Sequence, residues 1–203
     1  MALDFASQNQ RRSDAPEVVV ARLPLYVRIL TRLLQEGAEV VSSQQLGEKL
    51  QVTPAQIRKD LSYFGRFGKQ GRGYSVIHLL ERLKLILGLN SFWNVAVVGV
   101  GRLGRAILSY PGFTPDGFHI VAAFDSNPDV VGETIAGLTV SSLEQLDELV
   151  SSKKISIAIV AVPTEHTQGV VDRLVACGVR AVLNYAPISP QVREGVRVRN
   201  IDP

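Results

Sequence analysis

Apolar residues recur every three or four positions along the first 90 residues, a spacing that predicts short amphipathic helices. The longest such pattern predicts a helix over residues 17–35, with Gly37 as its C-terminal cap. Pro24 lies inside the pattern, so it either kinks this helix or marks a shorter helix that starts at Leu23. The polar residues before the pattern predict a flexible arm over residues 1–16.

Two further short helices are predicted next, joined by a tight turn. Ser42 or Ser43 begins the first, and Ser42 stands three residues before a glutamine, which is the spacing of a capping box. We expect Thr53 to cap the second helix and the Gln56 side chain to reach back to that cap. Two short helices around a tight turn, the second with a strong cap, predict a helix-turn-helix.

Residues 65–74 carry four glycines among interleaved basic and aromatic residues, so they do not form a helix. We predict a β-hairpin there, the wing of a winged helix. A last helix is predicted over residues 77–87, with Gly88 as its cap.

The second half alternates continuous apolar runs with amphipathic segments. The predicted strands are 95–98, 120–124, 155–162 and 181–183, and the predicted helices are 103–110, 143–150 and 166–177. This alternation predicts a parallel sheet with helices on both faces. The predicted fold class is therefore α/β: an N-terminal winged helix-turn-helix domain over residues 17–90 and a C-terminal Rossmann-like, doubly wound parallel sheet over residues 91–203.

Composition excludes several classes of protein. The single cysteine among 203 residues rules out an internal disulfide framework and a multi-cysteine metal site, and the three histidines lie too far apart for a local metal-ligand motif. We predict no metal site. No apolar run is long enough to span a bilayer, and the first residues lack the apolar core of a signal peptide, which predicts a cytoplasmic location without membrane contact.

Charge divides the chain in two. Residues 1–90 hold 13 Lys+Arg against 8 Asp+Glu, whereas residues 91–203 hold 9 against 11. Five of the basic residues fall between Arg58 and Arg72. A solvated helix surface would explain this cluster, as would a winged helix used only for protein contacts. On a helix-turn-helix, the net charge of +5 favours double-stranded DNA as the partner.

Docking of the second helix in the major groove would bring its first residues to the bases and the start of the preceding helix to the phosphates. Arginine, lysine and glutamine are the side chains that read base edges there, and basic residues of the wing would reach the minor groove or the backbone. The candidate DNA-binding residues are Ser42, Ser43, Gln56, Arg58, Lys59, Ser62, Tyr63, Lys69 and Arg72.

A glycine motif follows the first predicted strand of the second half. Gly99, Gly101 and Gly104 form G-x-G-x-x-G: the first permits the tight turn, the second lets the backbone approach a pyrophosphate, and the third lets helix and strand pack closely. Asp125 ends the next strand, 21 residues past the last glycine, where a carboxylate accepts hydrogen bonds from an adenosine ribose. Residues 126–128 offer no arginine for a 2′-phosphate, so NADH and NAD+ are favoured over NADPH and NADP+.

Val162, Pro163 and Thr164 follow another predicted strand and could flank the nicotinamide. Alternatively, Thr164 is simply the N-cap of the next helix. We assign no catalytic residue, because the two domains leave no sequence for a substrate domain. His166 is expected on a helix surface and Cys177 in packing at a helix end. The chain is therefore predicted not to be an enzyme.

Several stretches together resemble the redox-sensing transcriptional repressors of the Rex family, and the resemblance runs from about residue 15 to residue 202. They read SSQQLG at 42–47, QIRKDLSYFG at 56–65, GRGY at 71–74, GVGRLG at 99–104 and YPGF at 110–113. The resemblance implies a homodimer that binds palindromic operators and represses genes of respiration and fermentation. It also implies that NADH releases the protein from DNA and that NAD+ competes with NADH.

Carried to this sequence, the resemblance places Arg58 and Lys59 in the major groove. It also implies a switch in which Asp202 pairs with Arg28 in the DNA-bound state and with Tyr110 in the NADH state. It further implies that Gly99 to Gly104 and Asp125 hold the dinucleotide. With the three residues of the strand end, the candidate nucleotide-binding residues are Gly99, Val100, Gly101, Arg102, Leu103, Gly104, Asp125, Val162, Pro163 and Thr164. Family members continue into a terminal helix that inserts into the partner subunit, whereas this sequence stops at Pro203, so dimerisation and coupling are open for this chain.

Two other functions fit parts of the sequence. A small NAD-dependent oxidoreductase would use the glycine motif, with the basic half serving another purpose, although the chain is short for one. A CoA-type binding protein would share the glycine turn and the Val-Pro strand end, although Asp125 argues against it.

Overall fold

A computed structural model describes residues 15–69, 72–113 and 117–201. The chain folds into two compact units, Met1–Asn90 and Ser91–Pro203, here called unit 1 and unit 2. Of the flexible arm expected over residues 1–16, residues 1–14 lie outside the described part, as does Asp202.

Unit 1 is a helical unit with a small antiparallel sheet. In chain order its elements are α1 (Glu17–Gln35), β1 (Val40–Val41), α2 (Ser43–Leu50), α3 (Pro54–Ser62), β2 (Gly68–Lys69), β3 (Gly73–Ser75) and α4 (Val76–Leu87). β3 lies between β1 and β2 and pairs antiparallel with both. The β2–β3 hairpin falls where the wing is predicted, so unit 1 is a winged helix-turn-helix.

α1 has the bounds that the sequence predicts and runs without interruption through Pro24. The alternative start at Leu23 is therefore wrong. A proline within a helix removes one backbone hydrogen bond. Here residues on both sides of it, Val19, Leu23 and Tyr26, are buried in the core of unit 1. Tertiary packing of this face outweighs the local loss.

Side-chain caps begin α2 and α3. Ser42 Oγ accepts from the Gln45 N–H at 3.1 Å while Gln45 Oε1 accepts from the Ser42 N–H at 2.8 Å, which is the predicted capping box. Thr53 Oγ1 caps α3 by accepting from the Gln56 N–H at 3.1 Å. The expectation that the Gln56 side chain reaches back to this cap is wrong, because its amide instead binds Asp60, which lies one turn further along α3.

Unit 2 is a seven-stranded sheet flanked by helices. Its elements are β4 (Trp93–Val98), α5 (Arg102–Leu108), β5 (Phe118–Asp125), β6 (Thr134–Ile135), β7 (Leu138–Ser142), a 3₁₀ turn (Leu143–Gln145), α6 (Leu146–Ser152), β8 (Ile157–Val160), α7 (Thr164–Ala176), β9 (Ala181–Asn184) and β10 (Arg197–Asn200). The strand order is β10-β9-β8-β4-β5-β7-β6, parallel throughout except for the β6–β7 pair.

The two faces of this sheet are both covered, which explains the continuous apolar runs. Along β4, Ala96 and Val98 face a core shared with α6 and α7, whereas Val95 and Val97 face a second core shared with α5. This is the doubly wound α/β arrangement that the alternation predicts. β6, β7 and β10 have no counterpart in the predicted strands.

The order of strands reverses at β4, since the chain continues from β4 to β5 on one side and later returns to β8 on the other. Ligands of open α/β sheets bind in the crevice outside the carboxyl ends of the strands at such a switch point. The glycine motif after β4 and residues 161–164 after β8 meet there. The described residues include no helix with the length and apolar character to cross a membrane, and no acid, histidine and cysteine cluster that could hold a metal ion.

Candidate functional site

The turn after β4 depends on two glycines that have no room for a side chain. Gly99 has a φ of +93°, and a Cβ there would lie 2.4 Å from the carbonyl oxygen of Ala161. A Cβ on Gly104 would lie 2.0 Å from the carbonyl oxygen of Gly99. The first glycine therefore lets β4 turn against the end of β8, and the second lets α5 pack directly on the turn.

Gly101 differs from both, since it has an ordinary φ of −71° and a Cβ would meet no atom within 4 Å. It is the residue before α5, and its surface is exposed. Here the glycine leaves open space beside the loop that a side chain would fill. The motif thus has the steric form that a dinucleotide pyrophosphate needs: two positions closed by the protein and one left open.

Asp125 is drawn toward the glycine loop by its own hydrogen bonds. Its Oδ2 accepts from the Val100 N–H at 2.6 Å, and its Oδ1 accepts from the Asn127 N–H at 2.8 Å. Each carboxylate oxygen has a second lone pair, so Asp125 can still accept from a ribose hydroxyl. The carboxylate cannot donate and would repel a 2′-phosphate. These residues fit an adenosine dinucleotide that lacks a 2′-phosphate.

The helix that follows the glycine loop makes an ion pair that the sequence did not indicate. Arg105 Nη2 on α5 lies 2.5 Å from Glu133 Oε2, in the segment between β5 and β6. The segment itself is folded by an Asn127 side chain that accepts from the Asp129 N–H at 3.0 Å. No pattern signals this pair, because the two charges lie 28 residues apart.

The residues after β8 line the other side of the switch point. Val162 is half-buried, with its Cγ1 3.0 Å from the position of a Cβ on Gly99, whereas Pro163 and Thr164 are less enclosed. The alternative that Thr164 is an N-cap is wrong. Pro163 takes the N-cap position with extended backbone, and Thr164 is the first residue of α7. In the glycine motif, Arg102 and Leu103 are exposed and Val100 is buried.

The three switch residues that the resemblance implies are spread across the chain. Arg28 is exposed on α1 in unit 1, and Tyr110 in unit 2 is 60% exposed. The Tyr110 ring meets the Phe113 ring edge to face, with centroids 5.3 Å apart. A Cβ on Gly112 would lie 2.3 Å from the Tyr110 ring, so the glycine makes room for it. Asp202 lies outside the described residues.

Most of the predicted DNA-binding residues lie together in the helix-turn-helix. Arg58, Lys59 and Ser62 are exposed on α3, whereas Gln56 and Tyr63 are half-buried at its two ends. Arg58 Nη1 donates to Ser43 Oγ at 3.1 Å and so joins the start of α2 to α3. Ser42 is occupied as the cap of α2. In the wing, Arg72 is exposed, and the Lys69 side chain lies outside the described part.

Asp60 is not among the residues predicted from the sequence; it is the one acid in the basic run from Arg58 to Arg72. This side chain has no exposed surface and accepts four hydrogen bonds. Arg22 donates from Nε at 2.8 Å and from Nη2 at 2.7 Å, the Tyr26 hydroxyl donates at 3.0 Å, and Gln56 Nε2 donates at 2.6 Å. We call Arg22, Tyr26, Gln56 and Asp60 the Asp60 cluster. Its one signal in the sequence is the place of Asp60, three residues after Ile57 on the buried face of α3.

The cluster holds Asp60 as a carboxylate. Burial acts to raise the pKa of Asp60, but hydrogen bonds from Arg22, Gln56 and Tyr26 outweigh it, so that the pKa lies below its usual value. Burial and the hydrogen bond to Asp60 raise the pKa of the Tyr26 hydroxyl. The same carboxylate stabilises the charged form of Arg22 and so raises the pKa of its guanidinium. The buried acid is therefore fully paired at neutral pH.

His166 and Cys177 lie on α7 and directly after its end. His166 is exposed on α7. Cys177 follows the end of α7, where its Sγ lies 3.3 Å from Asp147 Oδ1, and burial raises the pKa of its thiol. A raised pKa makes a thiol a weaker nucleophile at neutral pH.

Two family models match separate parts of the chain. The one described as "Putative DNA-binding protein N-terminus" matches residues 14–62, and the one described as "CoA binding domain" matches residues 90–188. The first covers α1 through α3, and the second covers most of the parallel sheet with the glycine loop.

Two solved structures resemble the chain over both units. The crystal structure of RSP in complex with β-NAD+ and operator DNA has a TM-score of 0.90 at 39% identity, over 92% of this chain and 86% of that one. The crystal structure of RSP in complex with β-NADH has a TM-score of 0.86 at 36% identity, over 93% of this chain and 88% of that one. The fold predicted from the sequence is confirmed.

Two named proteins are similar to the chain in sequence over most of its length. The redox-sensing transcriptional repressor Rex of Roseiflexus sp. (strain RS-1) is 56% identical over 193 residues, which span 95% of this chain and 88% of that protein. Rex 1 of Thermotoga maritima is 45% identical over 92% of this chain and 89% of that protein. With both units matched in order and nearly end to end, the chain belongs to the Rex family of redox-sensing transcriptional repressors.

Proposed function

We propose that this chain is a transcriptional repressor that binds palindromic operator DNA through unit 1 and is released from it when unit 2 binds NADH. The observation that carries the proposal is that 56% identity to a redox-sensing repressor extends over both units, rather than over the nucleotide-binding fold alone. A match confined to unit 2 would fit any dinucleotide-binding protein. No catalytic role is proposed for any residue.

In unit 1, α3 would lie in the major groove with Arg58, Lys59 and Ser62 toward the DNA. These three side chains are exposed on the helix. Arg58 also contacts Ser43 at the start of α2, so a phosphate there would meet a cationic side chain and a helix start together. Gln56, Tyr63, Ser42, Lys69 and Arg72 complete the proposed surface.

In unit 2, the loop from Gly99 to Gly104 would hold the pyrophosphate and Asp125 the adenosine ribose. Residues after β8, Val162 to Thr164, would flank the nicotinamide. The bound cofactor supplies the redox signal, since NAD+ and NADH differ in the charge and planarity of the nicotinamide ring. The conformation that cannot bind DNA must therefore bind one of these two oxidation states more tightly than the other. A full shift from bound to free takes about 10⁴-fold difference in affinity, or about 5.5 kcal/mol.

A palindromic operator requires two copies of α3 related by a two-fold axis, and we propose that the chain acts as a homodimer. Arg28, Tyr110 and Asp202 are the proposed switch residues, with Asp202 exchanging between the other two. We further propose a cytoplasmic location, where DNA and the pool of NADH and NAD+ are both present.

The test measures binding of the full chain to a fluorescent duplex selected by this protein from a random library. NADH, NAD+ and CoA are titrated separately into the preformed complex. We expect NADH to dissociate the complex, NAD+ to retain it, and CoA to have no effect. Equal effects of NADH and NAD+ would contradict redox sensing, and release by CoA alone would favour the CoA-type alternative.

A matched variant shows whether release acts through the glycine loop. Gly101→Ala places a methyl group in the open space without meeting protein atoms, so the fold is expected to persist. We expect this variant to bind the duplex as the unaltered chain does but to need far more NADH for release. Unchanged release would show that the nucleotide binds elsewhere.

A further inference from the structure

The Asp60 cluster joins α3 to α1 through one carboxylate in a fixed orientation. Arg22 donates to both oxygens, from Nε to Oδ2 at 2.8 Å and from Nη2 to Oδ1 at 2.7 Å. A guanidinium is planar and carries its donors in a rigid fork, so this two-point contact sets the plane of the carboxylate. Asp60 has no exposed surface and cannot exchange these partners for water.

Gln56 contacts that fixed carboxylate from one turn earlier on α3. Its Nε2 donates to Asp60 Oδ1 at 2.6 Å, as residues four apart on one helix face can do. The carboxylate accepts and does not donate, so the NH₂ end of the amide must face it, and the carbonyl end must face away. The orientation of the glutamine amide follows from the charge of Asp60.

This orientation leaves a defined pair of groups on Gln56. The amide has two N–H bonds and one carbonyl oxygen, and Asp60 uses one N–H. The remaining N–H and the carbonyl oxygen form the donor and acceptor pair with which glutamine contacts N7 and N6 of adenine in the major groove. A glutamine that turned by half a rotation would exchange donor and acceptor and would match a different base edge.

We infer that Asp60 is a positioning residue that holds the Gln56 amide in one orientation for base recognition. The inference rests on the proposed function, because it requires α3 to enter the major groove. It assigns to a buried acid an effect on which base is preferred. Gln56 is only half-buried, so part of the residue is accessible to a base.

The test measures base preference at every position of the selected duplex. Each base pair is replaced symmetrically in both half-sites, and affinities are measured for the unaltered chain, Gln56→Ala and Asp60→Ala. We expect Gln56→Ala to lose about 5- to 150-fold discrimination at one base pair. Asp60→Ala should lose discrimination at the same base pair and keep it elsewhere, and the double variant should lose no more than either alone.

Tyr26→Phe is the matched control, because it removes a hydrogen bond from the other oxygen of the same carboxylate. The Tyr26 hydroxyl contacts Oδ2, whereas Gln56 contacts Oδ1. Arg22 still fixes the carboxylate in this variant. We expect a less stable protein with an unchanged base preference. If Asp60→Ala weakens all duplexes equally, or Tyr26→Phe changes the preference as Asp60→Ala does, the role is structural and the inference is wrong.

A measurement on the unaltered chain covers the case in which Asp60→Ala does not fold. Side-chain amide relaxation by NMR compares Gln56 with the exposed Gln51 of the same unit. We expect Gln56 to be rigid before DNA is added and Gln51 to be mobile; equal mobility overturns the inference. A chain that discriminates operators and responds to NADH can still fail these tests, which refutes this inference alone. A chain without any duplex preference refutes the proposed function and the inference together.

Discussion

Unit 1 builds its candidate site from side chains, whereas unit 2 builds its candidate site from backbone. The surface of α3 depends on a buried acid, a guanidinium and an amide, each at hydrogen-bond distance. The crevice at β4 depends on the absence of side chains at Gly99 and Gly104, where a Cβ would lie 2.4 Å and 2.0 Å from a carbonyl oxygen. The site in unit 1 is therefore sensitive to loss of a charged or hydrogen-bonding group, whereas the site in unit 2 is sensitive to an added side chain.

Removal of the cation from the Asp60 cluster is expected to destabilise unit 1 strongly. Arg22→Ala leaves the buried Asp60 without its cationic partner, and loss of one partner of a buried pair costs about 3–5 kcal/mol. We expect unit 1 to unfold at lower denaturant concentration while the transition of unit 2 is unchanged. Arg32→Ala is the control on the same helix, since its pair with Glu36 is exposed and worth about 0–1 kcal/mol.

Calorimetry or denaturant titration, with NAD(H) added to identify the transition of unit 2, separates the two contributions. Equal destabilisation by Arg22→Ala and Arg32→Ala would show that the Asp60 cluster is not a special source of stability. A shift of both transitions by Arg22→Ala would show that the two units do not unfold separately.

The same cluster predicts a dependence on pH in unit 1. The folded-state pKa of Asp60 is depressed, so its contribution to stability is fully present above the unfolded-state pKa of about 4 and is lost as the pH falls through the lower folded-state value. We expect the stability of unit 1 to decline below about pH 4. In Asp60→Ala, this part of the acid loss should disappear, which unfolding curves between about pH 2 and pH 7 can measure.

A more modest loss of stability is expected when a side chain is added in the glycine loop of unit 2. Gly104→Ala forces a methyl group against the Gly99 carbonyl at 2.0 Å, and overpacking of this kind costs about 1–3 kcal/mol or more. We expect a destabilised unit 2 and lost NADH binding. Gly101→Ala should keep the stability and lose only nucleotide affinity. Calorimetric titration with NADH and thermal unfolding distinguish the two; an equal loss of stability in both variants would refute the assigned roles of these glycines.

Loss of one exposed cation from α3 tests whether DNA binding and NADH binding can be altered separately. Lys59→Ala removes an exposed cation from α3 and is expected to weaken operator binding by about 1–3 kcal/mol without changing NADH affinity. Arg82→Ala removes an exposed charge from α4, outside the helix-turn-helix, and controls for net charge. Anisotropy titrations measure the DNA affinities. Loss of NADH binding in Lys59→Ala would mean that the binding roles of the units are assigned wrongly.

Features that depend on neighbouring residues could be predicted from the sequence. Local signals were sufficient for the Ser42 cap of α2 and the Thr53 cap of α3, because each capping side chain and the N–H that it binds lie three residues apart. The glycine motif was equally readable, since each glycine has a steric reason at fixed spacing. Both fold types were predicted for these reasons.

Contacts between distant segments could not be predicted. Asp60 meets Arg22 and Tyr26 from a helix more than 30 residues away, and only burial distinguishes it from a solvated acid. β10 was missed for a similar reason. Arg197 and Arg199 make this segment polar, and only its pairing with β9 shows that it is a strand at the sheet edge. Gln56 was assigned to a local cap because it lies three residues after Thr53, and no pattern in the sequence marked Asp60 as its partner.

The position of β4 has a consequence for the order in which the protein forms during translation. β4 pairs with β8 in the register Val95↔Ile157, so the centre of the sheet waits for a segment synthesised 62 residues later. All of unit 1 has been synthesised by then, and every residue of its core lies before β4. Because unit 1 needs no segment of unit 2 to complete its core, we expect nascent chains to carry a folded helix-turn-helix before the nucleotide crevice exists.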